Sequence, residues 1–145
     1  MHENKIKIFL VDDDALFLKL LEIDFLQYPE FLIETYASGE LCMRNISEDT
    51  DVIILDYNLD GSNKNAMNGI ETLTKIKEFN KNIQVIMLSA QDDFDIAINS
   101  VHEHALDYVV KSETAFLRIH KIIINLLNFK KMEKGLNWRV GSLDH

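Results

Sequence analysis

Little in this chain could cross-link it, interrupt it or hold it in a membrane. A single cysteine, Cys42, excludes an intrachain disulfide, so a hydrophobic core must hold the fold, and a reducing compartment suits it. The only proline is Pro29 and there are five glycines, which excludes collagen-like repeats and Pro- or Gly-rich low complexity. No apolar run approaches the roughly 18 residues of a membrane span. The opening "MHENKIKIFLV" carries no apolar segment of signal-peptide length, so the sequence reads as cytoplasmic with no membrane partner. Positive charge is also short: 15 Lys plus Arg face 24 Asp plus Glu, a net charge of -9. That balance argues against the basic surface on which nucleic-acid affinity depends, and no direct nucleic-acid partner is expected.

What is abundant is apolar sequence, 47% of 145 residues, enough for one domain with a real core. Strand-length runs fall at Ile6 to Val11, Phe31 to Tyr36, Val52 to Leu55, Val85 to Leu88 and Tyr108 to Val110. Four are near-continuous, as strands covered on both faces are, while "FLIETY" alternates and reads as an edge. Helical spacing links Leu16, Leu20 and Ile23; Ile70, Leu73 and Ile76; Phe94, Ala97, Ile98 and Val101; and Phe116, Ile119, Ile123, Leu126 and Leu127. "SGELCMRNI" adds a short helix with Ser38 as its N-cap, and Asn68 with Glu71 resembles a capping box. Five alternations of strand and helix predict a doubly wound parallel sheet whose ligands sit beyond the carboxyl ends of the strands. From Glu133 the chain lacks a periodic apolar face and reads as a tail or linker, residues 133–145, behind a domain of residues 1–132.

The residues that follow the strands are Asp12, Asp13 and Asp14, then Asp56, Ser89 and Lys111. Each alone has a bland explanation: an acid opening a helix, a polar strand end, a surface lysine. Together they converge at one rim. Carboxylates about 4 Å apart repel by about 4 kcal/mol per pair at an effective dielectric near 20, so such a cluster calls for a divalent cation, and Mg²⁺ takes only oxygen ligands.

Four segments, "KIFLVDDDALFLKLLE", "VIILDYNLDG", "IMLSAQDD" and "DYVVKS", resemble the receiver domain of two-component response regulators over roughly residues 5 to 132. The resemblance implies a flavodoxin-like α/β fold, five parallel strands in the order 2-1-3-4-5. It implies that Asp56 receives a phosphoryl group from a histidine kinase or phosphotransfer protein, as a signalling domain and not a turnover enzyme. It implies Mg²⁺ as cofactor, with Asp12, Asp13, Asp56 and the Asn58 carbonyl around it. Ser89 and Lys111 would contact the phosphoryl oxygens. Asn58 and Gln91 stand where the family tunes the lifetime of the acyl phosphate. Ser89 and Tyr108 occupy the switch positions, which would couple Asp56 to a face built from the fourth helix, fifth strand and fifth helix, open to a downstream effector or to a homodimer partner.

Two features depart from the family's pattern. Ser112 follows Lys111 where a proline, joined by a cis bond, is usual; a cis peptide before serine costs about 3 to 4 kcal/mol, so either the bond is trans and the path differs or strain is retained. Asp60 also replaces a proline, and "GSNKN" adds five residues to the loop after Asp56.

Rival readings remain. "DYNLDG" opens like an EF-hand calcium loop, but position twelve falls on Met67 and a strand run precedes it. Asp12-x-Asp14 after "IFLV" resembles a haloacid-dehalogenase phosphatase, though no second acidic pair follows Lys111. A phosphorylation-independent interaction domain is the third reading. His102 and His104 lie two apart on an expected helix, where side chains diverge, and read as solvated surface, as does His120.

Overall fold

The computed structural model describes residues 5–59, 65–90 and 92–143, with residues 130, 131 and 133–143 by backbone alone. The chain divides into two compact units between Ser112 and Glu113. The first alternates β1 (Ile6–Val11), α1 (Ala15–Phe25), β2 (Phe31–Tyr36), α2 (Gly39–Asn45), β3 (Val52–Asp56), α3 (Gly69–Phe79), β4 (Gln84–Ser89), α4 (Phe94–His102) and β5 (Asp107–Val110). Its strands form one parallel sheet ordered β2-β1-β3-β4-β5, the order expected, with alternating β2 at an edge.

The near-continuous apolar runs are explained by burial on both sides. Phe9, Val11, Ile53, Leu55, Val85 and Met87 face one core with Cys42 of α2 and Leu73 and Ile76 of α3. Ile8, Leu10, Ile54, Ile86 and Leu88 point to the other side and are equally buried. The caps expected from sequence are present. Ser38 accepts from Leu41 N–H, and Asn68 and Glu71 form a reciprocal capping box.

Two helix faces differ from the sequence pattern. On α1, Leu16, Leu20 and Ile23 are exposed, while Leu21 and Phe25 are buried, with Phe25 edge-on to Phe31 of β2. Both faces of α1 are apolar, so periodicity alone selects the wrong one. On α4, Phe94, Ile98 and Val101 are likewise exposed. The buried position is Ser100, whose hydroxyl is satisfied by donating to the Ile96 carbonyl at 2.7 Å.

The end of α4 also differs. His102 is its last residue and His104 lies beyond it at φ 72°, so the two histidines do not share a helix. His104 N–H donates to Val101 O and Ala105 N–H to Ser100 O, a Schellman closure with histidine where glycine is usual.

The second unit is α5 (Ala115–Leu143), whose buried Ala115, Ile119 and Ile123 recur every four residues. It continues through Glu133, where the sequence pattern suggested a tail or linker. No proline interrupts the stretch, and Gly135 and Gly141 cost only about 1 kcal/mol each, so a helix once started has no local stop.

Candidate functional site

Register brings the first two acids together. Leu10 pairs with Ile54 and Val11 with Leu55, so the residues that come next, Asp12 and Asp56, are neighbours on one face of adjacent parallel strands. Oxygens of Asp12, Asp13 and Asp56 lie within 4.8 Å of one another, with Asp12 and Asp56 buried and Asp13 exposed. Asp14 turns away. Its carboxylate accepts from the N–H groups of Leu16 and Phe17 as the N-cap of α1, and its own N–H donates to Asp12 Oδ1 at 2.8 Å. A phosphatase acid at Asp14 would have to give up that cap.

Lys111 enters from the end of β5. Its Nζ lies 2.7 Å from Asp12 Oδ2 and 3.4 Å from Asp56 Oδ1. No peptide bond among the described residues is cis, so the chain passes from Lys111 to Ser112 by a trans bond and the ammonium still reaches the acids. Phe17, which the sequence did not single out, places its ring 4.5 Å from the same nitrogen. No short-range signal marks this contact, because α1 and the end of β5 are far apart in sequence.

The pocket holds more negative charge than one lysine can answer. Burial, then the Asp12 charge, pushes the Asp56 carboxyl up to about 7, while Lys111 and the Asn58 backbone N–H pull the other way. Burial alone would lower the Lys111 ammonium, but its close ion pair with Asp12 and the charges of Asp56 and Asp12 outweigh this and raise it. Despite the ion pairs, Asp12 Oδ2 and Asp56 Oδ1 are buried with no hydrogen bond of good geometry. Converging oxygens left without hydrogen-bond partners are the donor set a hard divalent cation takes.

The β3–α3 loop is held close to this pocket. Tyr57 and Leu59 pack into the core, leaving Asn58 between them exposed. Gly69 N–H donates to Tyr57 O at 2.9 Å, and a Cβ on Gly69 would stand 2.6 Å from the Asp56 carbonyl oxygen. Only glycine allows that approach. Residues 60–64, with Asp60 and most of the extra loop, and Gln91 lie outside the described residues. The calcium-loop reading finds strand β3 before its first aspartate instead of a helix, and Met67 N–H is bound by Glu40 Oε2 at 2.7 Å.

Ser89 ends β4, fully buried, and its carbonyl accepts from Lys111 N–H at 2.7 Å. Alternation puts it on the same face as Met87, whose partner in β5 is Tyr108. The Tyr108 hydroxyl in turn accepts from Asp93 N–H at 3.2 Å, at the N-cap of α4. The two switch candidates therefore share one face, while Asp56 follows the other.

The sequence profile of the response regulator receiver domain matches residues 8–123. The transcriptional regulatory protein ZraR of Klebsiella oxytoca is 29% identical over 77% of this chain, and PrrA of Mycobacterium leprae is 29% identical over 72%. The chain spans 24% of the first and 43% of the second. Among solved structures, the CheX-CheY-BeF3-Mg²⁺ complex from Borrelia burgdorferi has a chain 27% identical, at a TM-score of 0.71, covering 83% of this chain and 88% of that one. A CheY-like receiver domain from Methanospirillum hungatei, 19% identical, shares the fold at a TM-score of 0.74, covering 89% and 98%.

Proposed function

The chain belongs to the response regulator receiver domain family, a phosphoacceptor of two-component signalling, and from that premise we propose that Asp56 is the residue that takes the phosphoryl group. The observation that carries this is the buried, orphaned Asp56 Oδ1 beside Asp12, Asp13 and Lys111. An Asp56 oxygen attacks phosphorus, the P–N bond of a phosphohistidine breaks, and its electron pair returns to the imidazole. Mg²⁺, held by Asp12, Asp13, Asp56 and the Asn58 carbonyl, would supply the positive charge that lets two anions meet. Lys111 exchanges part of its contact with Asp12 for a phosphoryl oxygen, and Ser89 donates its hydroxyl to another.

The product is a modified signalling domain and not a released molecule. Ser89 moves toward the phosphoryl group and Tyr108 follows on the shared face, shifting a two-state population; a full switch takes about 5.5 kcal/mol of differential binding. The exposed Leu16, Leu20 and Ile23 of α1, which begins beside Asp12 to Asp14, support docking of a histidine kinase or phosphotransfer protein. The exposed Phe94, Ile98 and Val101 of α4 support docking of an effector or of a second copy. A cytoplasmic setting fits these partners. Residues 1–132 serve as the receiver, and residues 133–145 as its tail or linker.

Intact mass after incubation with Mg²⁺ and acetyl phosphate tests the assignment. One phosphoryl adduct is expected on the wild type and none on Asp56→Asn. An adduct that survives in Asp56→Asn would overturn it.

A further inference from the structure

We propose that Phe17 is a positioning residue for Lys111, its ring face holding the ammonium over the acid pocket; the inference rests on the reading of Asp56 as phosphoacceptor. Lys111 carries three N–H donors on a flexible four-carbon stem, and its trans bond to exposed Ser112 adds no rigidity of its own. What restrains the nitrogen lies around it: Asp12 at 2.7 Å, Asp56 at 3.4 Å and the Phe17 ring at 4.5 Å. The acids cannot do this throughout the reaction. Once Asp12 and Asp56 serve a cation and a phosphoryl group, the contacts that hold Lys111 are the ones being exchanged.

The ring is the partner that stays. Its face attracts a cation without taking up an N–H, so all three donors remain free for oxygens. It is also fixed, since Phe17 sits in the first turn of α1 and its N–H is bound to the Asp14 cap. The same residue that caps the helix donates its N–H to Asp12 Oδ1, so the ring and the carboxylate that share the ammonium are set by one turn. Lys111 can then shift between oxygens within the pocket without swinging into water.

Volume and ring electrostatics separate in the test. Phe17→Leu keeps an apolar side chain, Phe17→Tyr keeps the aromatic face, and replacement of Phe17 by phenylalanines with one, two and five ring fluorines keeps the shape while draining the face of negative charge. Phosphorylation by acetyl phosphate is expected to slow about three- to tenfold in Phe17→Leu, to recover most of that loss in Phe17→Tyr, and to fall stepwise with fluorine number. In metal-free protein the Lys111 ε-methylene protons should show an upfield ring-current shift that Phe17→Leu removes and Phe17→Tyr retains. A flat fluorine series, or no such shift in the wild type, overturns the proposal. If the wild type takes no phosphoryl group, the phosphoacceptor reading fails, and the ring-current arm alone decides the placement of Lys111.

Discussion

Lys7 and Lys111 stand at opposite ends of the sheet and are nearly equally enclosed, with side chains 14% and 15% exposed. Among the described residues each has two carboxylates within 4 Å, and each lies over a phenylalanine ring. The partners differ. Glu34 and Asp49 beside Lys7 are 43% and 52% exposed, whereas Asp12 and Asp56 beside Lys111 are 1% and 3% exposed. At the Lys7 end water can solvate the acids, and Ser47 adds a hydrogen bond to the ammonium. At the Lys111 end the acids have given up water and have not been fully repaid. The first arrangement closes a fold; the second stores charge that a cation and an anion can discharge.

Removing each lysine tests this most strongly. In metal-free buffer at pH 8, Lys111→Met should cost about 3 kcal/mol, because it leaves two buried carboxylates with no cation. Lys7→Met should cost no more than about 1 kcal/mol, since its partners turn to solvent. Urea midpoints measure both, and Mg²⁺ should narrow the gap to wild type for Lys111→Met while leaving it unchanged for Lys7→Met. Equal losses would break the comparison.

Asp56→Asn comes next, with a sign opposite to that of most buried substitutions. The carboxyl is raised to about 7 in the folded chain from 3.8, so the folded state keeps a proton that the unfolded chain has lost. Stability from this group is therefore full below about pH 4 and is lost as pH rises through about 7. Without metal, Asp56→Asn should gain on the order of 2 kcal/mol above pH 7 and nothing near pH 4, at about 1.4 kcal/mol per pKa unit with allowance for solvent. Thermal melts across pH would show it. Added Mg²⁺ should flatten the wild-type slope.

A smaller effect lies in the backbone beside Asp56. In Gly69→Ala the new Cβ would stand 2.5 Å from Tyr57 Cα and 2.6 Å from the Asp56 carbonyl oxygen, and backbone has little room to yield. A loss of about 1 to 2 kcal/mol is expected, with slower phosphorylation, because the strain falls on the segment that carries Asp56. Unchanged phosphorylation alongside reduced stability would separate the glycine from the site.

Much of this is legible in the sequence alone. Apolar runs mark all five strands to within a residue or two, four of them as near-continuous stretches that leave no polar alternation to misread. The acids fell at strand ends, so a parallel sheet was enough to gather them. Less legible were choices that only packing makes. The outward stripes on α1 and α4 are as apolar as core, and periodicity cannot say which stripe the sheet claims. Phe17 meets Lys111 only through the fold, and nothing local marks Gly69 until the Asp56 carbonyl is seen against it.

The weakest lever sits at the Lys7 end of the sheet, where α4 hands over to β5. His104 holds φ 72° there, with its N–H bound to Val101 O, in a conformation that glycine adopts without a Cβ penalty. His104→Gly relieves that penalty but frees the unfolded chain, so the net gain should be about 0.5 to 1 kcal/mol. Urea denaturation of the metal-free protein would measure it. Because Asp56 and its partners gather at the other end of the strands, the same variant should take a phosphoryl group from acetyl phosphate at the wild-type rate. A changed rate would mean that the α4 terminus communicates with Asp56, through the path from Asp93 to Tyr108 at the other end of the same helix.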